Sequence, residues 1–240
     1  QDAWWVEPLI IVAVLGSFAV YSFWAALQNA NYYVDPYLSP FYSPCIAANC
    51  AQVQIPIIGS WWNISPAFLI LGIPLGFRAT CYYYRKSYYR AFFWSPPACM
   101  IPDARSSYRG ETRFPFVLQN IHRYFFWLSA IVVAFLWWDA IMAFRFPTGI
   151  GIGLGTLVLV ANAAMLTLYT LSCHSCRHLC GGYLDSFKGA PIRYRLWRLV
   201  SRLNERHALF AWISLFGVAL ADVYVRLVAS GTIVDPRVIF

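Results

Sequence analysis

The stretch LSCHSCRHLCGG, residues 171–182, places Cys173, His174, Cys176, His178 and Cys180 within eight consecutive positions. Thiolate and imidazole are donors for transition metals, the thiolate being the soft one. Elsewhere these residue types are sparse: Cys81, Cys99, His122 and His207, with Cys45 and Cys50 in SPCIAANC. Three chemistries use such donors. Two histidines from different helices, here His122 and His207, give the axial ligands of a b-type haem. Two cysteines and two histidines give a Rieske-type [2Fe–2S] centre, and the same four give structural zinc. A haem needs a tall apolar slot, whereas His122 and His207 adjoin Arg123 and Arg206. Zinc leaves the position of these donors at the ends of apolar segments unexplained. For a cluster, the candidate ligands are Cys173 and Cys81 with His122 and His207, and His174 or His178 competes for either histidine place.

The elements that must position these donors follow from composition. Of 240 residues, 60% are hydrophobic and only 12% charged, against about a quarter charged in soluble chains. Five stretches approach or exceed the ~20 residues that cross a bilayer, at roughly 8–28, 65–84, 116–143, 150–173 and 207–228. No basic segment precedes the first and no A-x-A site follows it, so it reads as a retained span rather than a signal peptide. The expected fold is all-α: one polytopic membrane domain of five transmembrane helices, with helices II–V forming an up-down bundle. The small residues of GIGIGLG open the fourth span, where they let helices approach closely. No internal repeat is evident.

The basic residues set the orientation. The segments 78–113 and 177–206 carry seven Lys/Arg each, and 29–64 carries none. By the positive-inside rule the N-terminus is cytoplasmic and the C-terminus outside. The net charge of +8 thus lies against a membrane, where it suits anionic lipid or a docked protein rather than nucleic acid. Cys45 and Cys50 fall on the outer side, where a disulfide is expected. Every other Cys and all four His fall at the inner ends of helices or in inner loops. Ionisable residues at membrane depth mark function by default. Leu196, Leu199, Val200 and Leu203 recur at helical spacing opposite Arg195, Arg198 and Arg202, as in an interfacial helix. Near the outer side, Asp222 and Arg226 are spaced to pair, and Asp139 is within reach of Arg145 or Arg226.

Three longer strings carry a family likeness. GFRATCYYYRKSYYRAFFWSPPAC, LQNIHRYFFWLSA and YTLSCHSCRHLCGG, the last followed by RYRLWRLVSRLNERHALFAWISLFGVALADVYVRL, resemble the membrane anchor of a bacterial succinate dehydrogenase, respiratory complex II. The likeness runs from about Pro66 to Leu227. It implies a subunit of the bacterial inner membrane that docks an iron–sulfur subunit, which in turn carries a flavoprotein subunit oxidising succinate. Electrons then reach membrane quinone, so the chain acts as part of an enzyme and holds no succinate site itself. Better-known anchors use helix histidines for one or two b haems. Here the first span has no histidine and the second has Cys81 instead, and the likeness favours a haem-less anchor with a Rieske-type centre. A quinone needs an apolar slot and donors for two oxygens, for which Tyr84, Trp94 and Arg177 are the candidates. The rival readings are a b-type cytochrome anchor and a structural or transport subunit without a redox centre.

Overall fold

The computed structural model describes residues 3–44, 67–95, 101–102 and 116–240. The expected Cys45–Cys50 pair and Cys99 lie outside the described residues. Among these residues eight α-helices follow in order: α1 Val6–Gln28, α2 Ala67–Ala79, α3 Tyr82–Phe93, α4 His122–Met142, α5 Leu154–Leu171, α6 His174–Gly181, α7 Pro191–Asn204 and α8 His207–Ala229. Among the described residues four of them, α1, α4, α5 and α8, are long and apolar enough to cross a membrane.

The second expected span, 65–84, is corrected. Its helix stops at Ala79, and Cys81 takes an extended backbone, φ −68° and ψ 129°, before α3 starts at Tyr82. Side chains satisfy the carbonyl left at the break: Ala79 O accepts from Tyr88 Oη at 3.1 Å and Gln119 Nε2 at 3.4 Å. The fourth expected span is corrected at both ends. GIGIG is not helical, because each glycine costs about 1 kcal/mol in a helix interior. It forms strand β4, Gly149–Gly153, between β3 (Arg145–Phe146) and β5 (Arg237–Ile239). Gly151 pairs with Ile239, and a Cβ there would stand 2.6 Å from the Val238 carbonyl oxygen, so the close strand approach requires glycine. A further two-stranded hairpin, β1 Tyr33–Val34 and β2 Tyr37–Leu38, follows α1.

At its other end α5 stops at Leu171, and LSCHSCRHLCGG does not continue it. Cys173 is again extended, φ −65° and ψ 144°, and caps the separate helix α6. Asn204 Nδ2 donates to the freed Ser172 carbonyl at 2.7 Å. Helix α7 packs on α6, where Arg193 donates to the Cys180 and Gly182 carbonyls that end it. Val200 faces the protein, Leu196 and Leu199 are exposed beside Arg195, Arg198 and Arg202, and the expected amphipathic pattern is thereby located on α7.

The long helices pack by stripes at helical spacing. On α4 the buried residues are His122, Phe126, Ser129, Val132, Leu136 and Ala140. Trp127, Ile131 and Trp138 are exposed on the other face. Helix α4 lies between α2 and α5, and α5 packs on α8. Ala163, Ala211 and Ala221 are fully buried, so the small residues that bring helices together lie within α5 and α8 rather than in GIGIG. Among the described residues one end of the bundle gathers the cysteines and histidines, and the other gathers carboxylates.

Candidate metal centre

At the thiol end two chain breaks share one local plan. A helix ends, a hydroxyl residue follows (Thr80, Ser172), an extended cysteine caps the next helix (Cys81, Cys173), and a later helix opens on a histidine (His122, His207). This is a local repeat that the sequence alone did not disclose. The pairing is crossed. His122 Nε2 stands 3.1 Å from Cys173 Sγ, and His207 Nε2 stands 3.4 Å from Cys81 Sγ. Each histidine thus faces the thiol of the other half.

Hydrogen-bond accounting fixes both imidazoles. Thr80 Oγ1 donates its one proton to the Gly76 carbonyl at 2.7 Å, so towards His122 Nδ1, 2.8 Å away, it accepts. Ser172 Oγ donates to the Tyr169 carbonyl at 3.0 Å and therefore accepts from His207 Nδ1 at 2.7 Å. With each hydroxyl proton on its carbonyl, both Nδ1 atoms are assigned the hydrogen, which leaves both Nε2 lone pairs facing sulfur. The rings are also held flat: His122 stacks on Phe77 with centres 4.9 Å apart, and His207 stacks on Tyr169 at 5.1 Å.

Cys81 and Cys173 are 1% and 0% exposed. Each sits at a helix N-terminus, and Cys173 Sγ accepts from the Ser175 N–H at 3.4 Å, an arrangement that favours thiolate. Burial outweighs it. Burial pushes the Cys81 thiol up, and pushes Cys173 up to about 12. Without metal these are neutral thiols, each able to donate to the facing Nε2, and a metal would displace two protons.

A cation stands nearby. Arg78, 8% exposed, donates to Tyr84 Oη at 2.6 Å, the Ala211 carbonyl at 3.0 Å and Ser214 Oγ at 2.9 Å. Its guanidinium lies 4.6 Å from the centre of the Tyr169 ring. Among the described residues no carboxylate pairs with it. Buried charge without a counter-charge is costly, and two thiolates around a metal would supply one. The donor set, the bare nitrogens and the unpaired cation all suit an anionic thiolate–imidazole metal group.

Of the remaining candidates, His174 stacks on His122 at 5.4 Å and its ligand atom lies within 4.8 Å of those of His122 and Cys173. His178 meets Tyr183 edge-on, with ring centres 5.1 Å apart. A cavity of about 560 Å³ opens beside His122, lined also by Tyr82, Gln119, Arg123, His174 and His178. Tyr84, Trp94 and Arg177 do not line it. Tyr84 is buried, donating to the Ala211 carbonyl at 2.6 Å. Trp94 meets Trp4 at the far end of α3, and Arg177 lies over Trp197 and donates to Ser201 Oγ. Sequence reasoning missed Thr80, Ser172 and the role of Arg78, although a hydroxyl residue precedes each of the two cysteines.

Fold and site together define a helical membrane subunit with a candidate His/Cys site at one end of its bundle. The family model for the actinobacterial succinate dehydrogenase subunit SdhC matches residues 6–231, and the chain belongs to that family. It is therefore a membrane subunit of an oxidoreductase complex. A chain of the Mycobacterium smegmatis Sdh1 complex in the apo form is 46% identical, with a TM-score of 0.90 over 100% of this chain and 93% of that one. A comparison with curated proteins returns no match.

Proposed function

We propose that Cys81, Cys173, His122 and His207 hold a Rieske-type [2Fe–2S] cluster, and that the chain delivers electrons from succinate oxidation to membrane quinone. The observation that carries this reading is the crossed pair of Nε2 atoms, each facing a buried thiol. When bound, such a cluster supplies one-electron transfer at a potential raised by its imidazole ligands. The partners are an iron–sulfur subunit and the flavoprotein subunit it carries. They would dock on the basic face that 78–113 and 177–206 provide, which by charge is cytoplasmic, leaving the N-terminus inside and the C-terminus outside.

The chain's own residues do the rest. The breaks at Thr80–Cys81 and Ser172–Cys173 bring both thiols into one buried cluster, where the aromatic walls Phe77 and Tyr169 exclude water from the ligand atoms. We place the quinone ring in the cavity beside His122, where Tyr82 and His174 supply hydrogen-bonding groups at its wall. His174 then holds a proton for the reduced ring within one ring stack of His122. Tyr84 and Arg78 act from behind the thiols rather than on quinone.

The test is an EPR spectrum and iron and labile-sulfide analysis of the purified, dithionite-reduced complex, with and without Cys173→Ser. A rhombic signal with average g about 1.9, roughly two irons per chain beyond those of the partner subunits, and loss of both in the variant are expected. A haem Soret band, or zinc in place of iron, would overturn the reading.

A further inference from the structure

Resting on that reading, we infer that Thr80 and Ser172 are positioning residues that select Nε2 as the ligating nitrogen of both histidines. The argument starts from proton count. A hydroxyl has one hydrogen. Thr80 spends it on the Gly76 carbonyl one turn back, at 2.7 Å, and Ser172 on the Tyr169 carbonyl three residues back, at 3.0 Å. Both oxygens can then only accept from the imidazoles at 2.8 and 2.7 Å. Thr80 is 4% exposed and Ser172 fully buried, so water does not compete for either acceptor place.

The two hydroxyls therefore do for each ring what a carboxylate or carbonyl does for other metal-bound histidines: they fix the tautomer, the ring angle and the donor strength. The arrangement also couples the halves. Thr80 precedes Cys81 yet orients His122, which faces Cys173, and Ser172 precedes Cys173 yet orients His207, which faces Cys81. Each break supplies a thiol to one pair and an orienting acceptor to the other, so the four ligands are set by two dipeptides, Thr80–Cys81 and Ser172–Cys173. An acceptor on Nδ1–H makes the imidazole a stronger donor and favours oxidised iron. Its removal raises the potential.

The experiment uses the assembled complex with histidine labelled by ¹⁵N at Nδ1 or at Nε2, read by pulsed EPR of the reduced centre. The expected result is the strong, directly bonded coupling from Nε2 in both rings. Strong coupling from Nδ1 in either ring would overturn the proposal, and this measurement needs no variant. Thr80→Val, which keeps the shape, and Ser172→Ala are each expected to raise the midpoint potential by about 59 mV, a tenfold shift in the reduction equilibrium. Each should also weaken metal retention about 10–100-fold, with Thr80→Ser and Ser172→Thr restoring both quantities. Unchanged potentials in both variants would overturn the proposal even where activity falls. A wild-type complex with no centre bound to this chain would overturn the cluster reading, and this inference with it.

Discussion

The two ends of the bundle handle buried polar groups in opposite ways. At the carboxylate end each acid has hydrogen-bond donors, and Asp222 and Asp235 have three each. Asp222, fully buried, accepts from Tyr21, Ser39 and, at 2.7 Å, from Arg226 Nε. Asp235 accepts from Tyr37 at 2.7 Å, Tyr224 at 2.5 Å and the Gly155 N–H at 2.8 Å, tying the C-terminal strand to the start of α5. Asp139 takes Ser43 rather than the expected arginines. At the thiol end two sulfurs face two imidazole nitrogens, and a buried arginine has no acid partner among the described residues. Satisfied networks rigidify a core. A set of lone pairs converging on one another, with a cation behind them, is a site for something else.

Substitutions at the two ends should therefore separate stability from redox chemistry. The largest effect is expected for Cys81→Ser: quinone reduction and the chain's EPR signal are lost, while succinate oxidation with a soluble acceptor and the melting temperature of the complex persist. Loss of the fold along with the signal would erase the contrast. Asp222→Ala leaves Arg226 buried and unpaired, which should cost about 3–5 kcal/mol of stability. It should leave the midpoint potential unmoved, as redox titration checks. Arg78→Leu tests the cation. Removing positive charge beside a centre that gains an electron should lower its potential with little change in iron content, and a rise would mean that Arg78 serves another group. Ser43→Ala, the mildest, should cost about 1 kcal/mol and leave iron, potential and turnover at wild-type values.

How much of this could be read in the chain depends on how far apart the interacting residues lie. Asp222 and Arg226 are one helical turn apart, and their pairing follows from local geometry. The four spans and the layer of Cys and His at their ends follow from hydropathy and from side-chain type. The helix breaks do not. RATCYYY and TLSCHSC continue an apolar helical pattern, and the carbonyls freed where they stop being helical are satisfied by side chains from other turns and helices, Tyr88 and Gln119 at one break and Asn204 at the other. GIGIG likewise turns to strand because β5, more than 80 residues on, offers it hydrogen-bond partners.

By itself, then, the sequence determined that the chain is a membrane helix bundle with soft metal donors gathered at its basic end, because burial of apolar surface and the choice of donor atoms are properties of single residues and short windows. Only the tertiary structure decided which thiol meets which imidazole, and which nitrogen is left bare. Those outcomes depend on the depth and rotation of four helices relative to one another. Rotation is fixed by contacts such as Thr80 with His122 and Ser172 with His207, which join residues 42 and 35 positions apart.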